Sequence, residues 1–134
     1  YRPGFNAIYM PDRRSFVATA TSTPTESYYS THSHELSHWT SIDKRCNRKL
    51  GKRFGDHQYA IEELVAELGS AFLCAELGIT PSPRADHAQY LAHWLKVLKA
   101  DKRAIFSAAA AASKAVAYLN GLQPKQSTSD AQAA

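Results

Sequence analysis

The run with the clearest chemical potential is His34-Glu35-Leu36-Ser37-His38. On a helix, residues four apart lie on one face one turn apart, so both imidazoles can reach the same ion. Two such rings suit tetrahedral zinc, which binds histidine nitrogen at about 2.0–2.1 Å. Glu35 is turned about 100° around the helix from His34. Its carboxylate can therefore take a proton from a zinc-coordinated water without replacing a ligand, which is the chemistry of metal-assisted hydrolysis.

A catalytic zinc site also needs a third protein ligand and an open position. Glu62, Glu63 and Glu67 stand in an otherwise apolar stretch, where acids are costly to bury without a partner. Glu63 and Glu67 are four apart and share a helix face. We expect Glu63 to be the ligand and Glu67 to orient His34 or His38 through its second ring nitrogen. Glu62 is the alternative ligand if the helix is rotated.

The histidine motif needs a helix to hold it, and the sequence predicts one. Thr23 is suited to the N-cap, Pro24 to the first helical position and Glu26 to the third, which together form a capping box. The helix is expected to run to about Ile42. The face opposite the two histidines is predicted to be core, and it carries Tyr28, Tyr29, His32, Leu36 and Trp39.

Three further helices are predicted along the chain. The second begins after Asp56 as N-cap and runs to Leu77, followed by Gly78 at the position where helices often end in glycine. It is apolar nearly all round, so we expect it to be central. The third begins near Ser82 and runs to about residue 99, and the fourth follows Asp101 and ends at residues 120–121.

The segments ahead of the first helix predict β structure. Residues 6–10 are apolar, and residues 15–20 are rich in strand-forming types, so the two can pair as a hairpin. Residues 122–134 are small and polar without a period, which predicts a disordered tail after a domain of residues 1–121. Because the chain starts at Tyr1 without a Met, we expect it to be the C-terminal part of a longer protein.

Composition places the chain among ordinary globular domains. It has 134 residues, of which 44% are hydrophobic and 21% charged, which excludes a wholly disordered or fibrous protein. No run reaches the roughly 18 apolar residues that a membrane helix needs, so no membrane partner is expected. Two cysteines make no disulfide framework and favour a reducing, cytoplasmic setting.

The formal net charge is +4, and the positive charge is concentrated after the first helix. The cations of this basic run are Lys44, Arg45, Arg48, Lys49, Lys52 and Arg53. Such a run fits either a phosphate-facing loop or a solvated surface. Between Asp43 and Leu50 it holds no aromatic residue that could stack on single-stranded bases. Arg45 and Arg48 can instead pack on the first helix through ion pairs.

Two motifs together resemble a known family. They are His34-Glu35-Leu-Ser-His38-Trp39-Thr40 and the run Glu62-Glu63-Leu-Val-Ala-Glu67-Leu-Gly. In combination they are similar to the zincin-like metallopeptidase domain of ArdC-type antirestriction proteins, which also occurs in TraC-type conjugation primases and phage polyvalent proteins. The resemblance covers about residues 5–120. The chain departs from the family at His32 and Ser41, where Leu and Gly are common, and neither position is a ligand.

The resemblance implies a fold, a site and a role. The implied fold is α+β and zincin-like, with a small antiparallel sheet packed on the active-site helix and three further helices. One zinc ion per chain would be held by His34, His38 and Glu63, with Glu35 as the general base that drives cleavage of a protein or peptide. The implied role is protection of incoming DNA from restriction, or accessory work in conjugation. Contact with single-stranded DNA would come mainly from an N-terminal domain absent here.

A second hypothesis makes the chain a binding module rather than an enzyme. In it the zinc is structural, and the basic run holds nucleic acid. Coordination separates the two hypotheses, because three protein ligands with an open position indicate catalysis, whereas a closed set of four indicates structure.

Overall fold

The described part of the chain is built from four helices. The chain is represented by a computed structural model that describes residues 1–51, 56–79 and 88–124, with the backbone alone for residues 88–93. The helices are α1 (Pro24–Trp39), α2 (His57–Glu76), α3 (Ala88–Ala100) and α4 (Ala104–Gly121). None of the helices within these residues is long and apolar enough to cross a membrane.

The predicted starts of α1 and α2 are confirmed. The Thr23 side chain accepts a hydrogen bond from the Glu26 backbone at 3.2 Å, and the Glu26 carboxylate accepts one from the Thr23 backbone at 2.7 Å. Asp56 caps α2 by accepting from Gln58 N at 3.2 Å. These bonds satisfy amide groups that the first turn of a helix leaves without partners.

The first helix ends earlier than predicted, at Trp39 rather than near Ile42. The Thr40 backbone amide is shared between Leu36 O and Ser37 O, and the Thr40 hydroxyl donates to Ser37 O at 2.7 Å. These bonds use the last carbonyls of the helix, which tightens its final turn instead of extending it. The predicted start of the third helix at Ser82 lies outside the described residues.

The predicted antiparallel sheet is wrong. No strand occurs in residues 1–51, 56–79 and 88–124, so the described chain is all-helical rather than α+β. Two short 3₁₀ turns stand at the starts of the segments expected to pair: Pro3–Phe5 directly precedes residues 6–10, and Arg13–Ser15 ends at the first residue of 15–20. Phe16 packs edge-on against Tyr28 of α1, with ring centroids 5.4 Å apart, and Val17 is exposed. Phe16 thus packs on α1, and the two segments form no strand.

The core lies around α2, which packs against α1, α3 and α4, as its all-round apolar surface predicts. Its main cluster consists of Leu64, Val65, Trp94, Ala108 and Ala112. Buried alanines recur at every fourth position of the first half of α4, and their small side chains let α4 lie close to α2. Leu95 of α3, an apolar residue, is 55% exposed and lies outside this core.

The predicted core face of α1 is confirmed for Leu36 and Trp39, which pack against the core, but not for Tyr29. Tyr29 is exposed, whereas the buried residues of α1 are Ser33, Ser37 and His38. Ser37 lies against Gly69 of α2, where an added Cβ would come within 2.3 Å of the Ser37 Oγ. Small residues on both helices therefore allow a close approach, which brings the histidine face of α1 over α2.

The end of the domain is defined only in part. The fourth helix ends at Gly121, and residues 122–124 follow as an irregular segment. Residues 125–134 of the predicted disordered tail lie outside the described residues. The division into a domain of residues 1–121 and a tail stays a prediction.

Candidate metal centre

Two histidines project from the last turns of α1. His34 and His38 are one turn apart, their Nε2 atoms are 3.1 Å apart, and their rings meet edge to face at 82°. His38 is buried, and the His34 side chain is 19% exposed. Because α1 approaches α2 closely, both Nε2 atoms point to the same region above α2.

Glu63 of α2 meets both rings there. Its Oε2 atom lies 3.6 Å from His34 Nε2, and its Oε1 atom lies 3.6 Å from His38 Nε2. The three residues form a group that could hold a metal ion. Ligand atoms about 2.0–2.1 Å from a tetrahedral ion are about 3.3 Å from one another. The two nitrogens are 3.1 Å apart, each lies 3.6 Å from a different Glu63 oxygen, and one ligand atom of each residue lies within 4.8 Å of the others. The group is therefore close to the spacing of a tetrahedral site.

The other two glutamates face the opposite ring nitrogens. Glu67 Oε1 lies 3.2 Å from His34 Nδ1, and His38 Nδ1 donates to Glu62 Oε1 at 3.2 Å. The structure thus places Glu67 where the sequence expected an orienting residue. Glu62, the alternative ligand, lies beside the outer nitrogen of His38 rather than beside the converging Nε2 atoms.

The basic run supplies a partner to Glu62. Arg48 donates to both Glu62 oxygens, at 3.0 and 2.9 Å. Arg45 lies over the Trp39 ring and donates to Trp39 O at 2.6 Å. These two arginines therefore pack on the end of α1, which was one of the two alternatives for them. Lys52 and Arg53 lie outside the described residues.

The charges of this cluster are strongly coupled in the metal-free protein. Burial lowers the pKa of His34, but hydrogen bonds to Glu63 and Glu67 outweigh it and raise the pKa to about 9. Burial also lowers the pKa of His38, but hydrogen bonds to Glu62 and Glu63 outweigh it, so the pKa of His38 is raised. The pKa of Glu63 is lowered, because its contacts with both histidines outweigh burial. Ionised carboxylates thus surround two basic imidazoles. A divalent cation can displace the protons of the imidazoles and balance the charge of the same carboxylates.

An open cavity of about 390 Å³ adjoins the cluster and gives a substrate access to it. Its lining residues are Tyr1, Pro3, His34, Glu35, His38, Leu50, Gly51, Tyr59, Glu62 and Glu63. Glu35 lies in this wall, and its carboxylate contacts the backbone nitrogen of Tyr1. The predicted base and the three predicted ligands therefore share one cavity.

Two features of the site went unpredicted from the sequence. The first is the contact between Gly69 and Ser37, which sets how closely the ligand-bearing helices approach. The small residues spaced along both helices were the signal in the sequence that could have indicated this close contact. The second is that Arg48 holds Glu62, which in turn meets His38. Nothing in the spacing of these residues pairs that arginine with that acid.

Comparisons with known proteins agree on the kind of domain. A family model described as zincin-like metallopeptidase matches residues 1–111. The DNA primase TraC of Escherichia coli is 40% identical over 126 residues, which are 94% of this chain and 11% of TraC. The chain thus corresponds to a small part of that relative.

Solved structures of the antirestriction protein ArdC from plasmid R388 are also similar. The Mn(II)-bound form is 39% identical with a TM-score of 0.76, and the metal-free form is 41% identical with a TM-score of 0.72. Each match covers 90% of this chain, but only 43% and 41% of the respective ArdC chains. The shared region is therefore less than half of ArdC.

Proposed function

This chain belongs to the zincin-like metallopeptidase family, and on that premise we propose that it is a zinc-dependent peptidase domain. The proposal is supported by the convergence of His34 Nε2, His38 Nε2 and the Glu63 carboxylate, whose atoms lie close to tetrahedral ligand spacing. Two imidazoles and one carboxylate form a typical catalytic zinc set, which leaves one position open. The similar ArdC structure is described as Mn(II)-bound, which supports a divalent metal as the ion held here.

Each residue has a distinct part in the proposed reaction. His34, His38 and Glu63 would hold the ion, which supplies Lewis-acid chemistry that polarises a substrate carbonyl and makes water easier to deprotonate. Glu35 accepts the proton of the attacking water at its carboxylate and returns it to the leaving amine nitrogen. The cavity beside Glu35 would receive the scissile bond of the substrate.

The wider role follows from the relatives. ArdC is an antirestriction protein and TraC is a DNA primase, so we place this peptidase domain in a plasmid or phage protein that serves DNA transfer. Its substrate would be a protein or peptide. Contact with single-stranded DNA would come chiefly from regions outside this chain, since Arg45 and Arg48 of the basic run bind within the domain.

The test separates metal binding from hydrolysis. Zinc content is measured by mass spectrometry for the wild type, for a variant combining His34→Ala with His38→Ala, and for Glu35→Gln. We expect one zinc per chain in the wild type and in Glu35→Gln, and none in the double variant. His57→Ala, which removes an exposed histidine at the start of α2, is the matched control and should keep its zinc.

Hydrolysis is then followed with a library of quenched fluorescent peptides. Glu35→Gln should lose about 10²–10⁴-fold in rate, because an amide cannot accept the proton of water. Glu76→Gln, which alters an acid of α2 outside the cavity, should cleave at the wild-type rate. Equal cleavage by the wild type and Glu35→Gln would exclude the proposed mechanism, and zinc retained by the double histidine variant would exclude the proposed ligands.

A further inference from the structure

We infer that Arg48 is a positioning residue for the metal centre, acting through Glu62 to fix the orientation of His38. The inference rests on the proposed function, since it assumes that His38 is a ligand. Arg48 is separated from His38 by an intervening carboxylate, and it comes from the loop after α1 rather than from either helix of the site.

Arg48 binds the Glu62 carboxylate through two of its guanidinium nitrogens. Nε donates to Glu62 Oε2 at 3.0 Å, and Nη2 donates to Glu62 Oε1 at 2.9 Å. The Arg48 side chain is 11% exposed and that of Glu62 is 4% exposed, so water does little to screen the pair. A paired fork of this kind fixes the plane of the carboxylate as well as its position.

The held carboxylate decides which nitrogen of His38 carries hydrogen. Glu62 is an acceptor toward both Arg48 nitrogens, and its Oε1 also faces His38 Nδ1 at 3.2 Å. Nδ1 must therefore be the donor. In a neutral ring the lone pair then lies on Nε2, the atom that faces His34 and Glu63. Arg48 thus favours the tautomer that can bind a metal at this point.

Arg48 also ties this arrangement to the end of α1. Its Nη1 donates to Thr40 Oγ1 at 2.8 Å, and its Nη2 donates to Ser37 O at 2.7 Å. One rigid group therefore spans the helix that carries His38 and the helix that carries Glu62. A lysine has one charged nitrogen on a flexible stem, so it cannot reproduce these contacts together.

Arg45 provides a matched control for this role. It comes from the same loop and is also bound at the end of α1, where it donates to Trp39 O at 2.6 Å and lies over the Trp39 ring. Its other hydrogen bond goes to Asn6 Oδ1 at 2.8 Å. Loss of Arg45 therefore removes a loop-to-helix contact of similar kind without touching Glu62.

The experiment measures zinc affinity by competition with a chelating dye for the wild type, Arg48→Met, Arg45→Met, Glu62→Ala and the Arg48→Met/Glu62→Ala pair. We expect Arg48→Met to bind zinc about 10–100-fold more weakly, the range found when a partner of a metal-bound histidine is lost. Arg45→Met should stay within about twofold of the wild type. In the Glu62→Ala background, Arg48→Met should add little, because its effect passes through Glu62.

A spectroscopic measurement tests the orientation itself. Zinc-loaded protein with ¹⁵N-labelled histidine should give a protected Nδ1–H resonance that Glu62→Ala removes and that Arg48→Met weakens or removes. Arg45→Met should retain it. Thermal unfolding of the metal-free variants checks that each one folds. If Arg48→Met does not fold, Arg48→Lys keeps the charge and should still lose several-fold in zinc affinity.

The outcomes separate this inference from the proposed function. Wild-type zinc affinity in Arg48→Met, or in Arg48→Lys where that variant is needed, would overturn the positioning role while leaving the peptidase proposal intact. An equal loss from Arg48→Met with and without Glu62 would overturn it as well. A wild-type protein that binds zinc but cleaves no peptide would instead contradict the peptidase proposal. A wild-type protein that binds no zinc would contradict both.

Discussion

The contact between Gly69 of α2 and Ser37 of α1 offers a quantitative test of how the fold sets the site. A methyl group at Gly69 would lie 2.3 Å from Ser37 Oγ and 3.0 Å from Ser37 Cβ. Carbon atoms in good contact are about 3.5–4.0 Å apart. Rotation of the hydroxyl relieves the first clash but breaks its bond to Ser33 O, and the second still requires a shift of about 0.5 Å.

The stability cost of Gly69→Ala follows from two opposing effects. Overpacking of this kind costs about 1–3 kcal/mol. The exchange of glycine for alanine within a helix returns about 1 kcal/mol. Gly121→Ala is the matched control, because that residue ends α4 and an added Cβ there has nothing within 4 Å. Both variants gain from replacing a helical glycine, so only the overpacking cost separates them. We therefore expect Gly69→Ala to be less stable than Gly121→Ala by about 1–3 kcal/mol, measured by urea unfolding.

The same shift should weaken metal binding. Moving α1 outward separates His34 and His38 from Glu63, whose carboxylate oxygens now lie 3.6 Å from their Nε2 atoms. Zinc affinity measured by chelator competition should therefore fall in Gly69→Ala and stay unchanged in Gly121→Ala. Equal stability and equal zinc affinity in the two variants would refute the claim that the small-residue contact sets the ligand spacing.

Three further predictions concern the metal. The raised pKa of His34, about 9, keeps its proton on the metal-free protein at neutral pH, and the pKa of His38 is raised as well. Zinc must displace such protons, so its affinity should rise at least about tenfold per pH unit from about pH 6.5 to 8.5, and calorimetry in buffers of different ionisation enthalpy should detect the release. Glu67→Ala should weaken zinc binding about 10–100-fold and Glu63→Ala more, in the same chelator competition. Zinc at about 100 times its Kd should stabilise the folded protein by about 2.7 kcal/mol, seen as a higher Tm that a His38→Ala variant does not show.

Local chemistry was enough to predict the helices, but it did not predict the partners of the N-terminal segment. Capping at Thr23 and Asp56 depends on residues adjacent in sequence, so the sequence predicted both starts correctly. A strand instead needs a distant partner for its hydrogen bonds, and residue types alone do not supply one. Phe16 has a side chain common in strands, yet it packs on Tyr28 of α1.

The same distinction between local and distant contacts separates the features of the site that could be predicted from those that could not. The spacing of His34 and His38 on one helix made their shared face predictable, and the structure brings Glu63 to that face. The assignment of these residues as ligands stays a prediction until metal is measured. The buried face of α1 was predicted only in part: Leu36 and Trp39 pack against the core, but hydrophobic periodicity gave weight to the exposed Tyr29 and none to the buried Ser37. Where helices pack closely, small side chains matter more than apolar ones.

The serine-lined contact between α1 and α2 also bears on local opening of the native state. Ser33 and Ser37 bury little apolar surface, and surface of that kind is the main source of resistance to opening. The amides of α1 should then exchange with deuterium sooner than those of α2, which is surrounded by the core. An ion shared by His34, His38 and Glu63 would bridge the two helices and slow exchange in α1 selectively. Occupancy of the site would in this way regulate the dynamics of one helix without any change of fold.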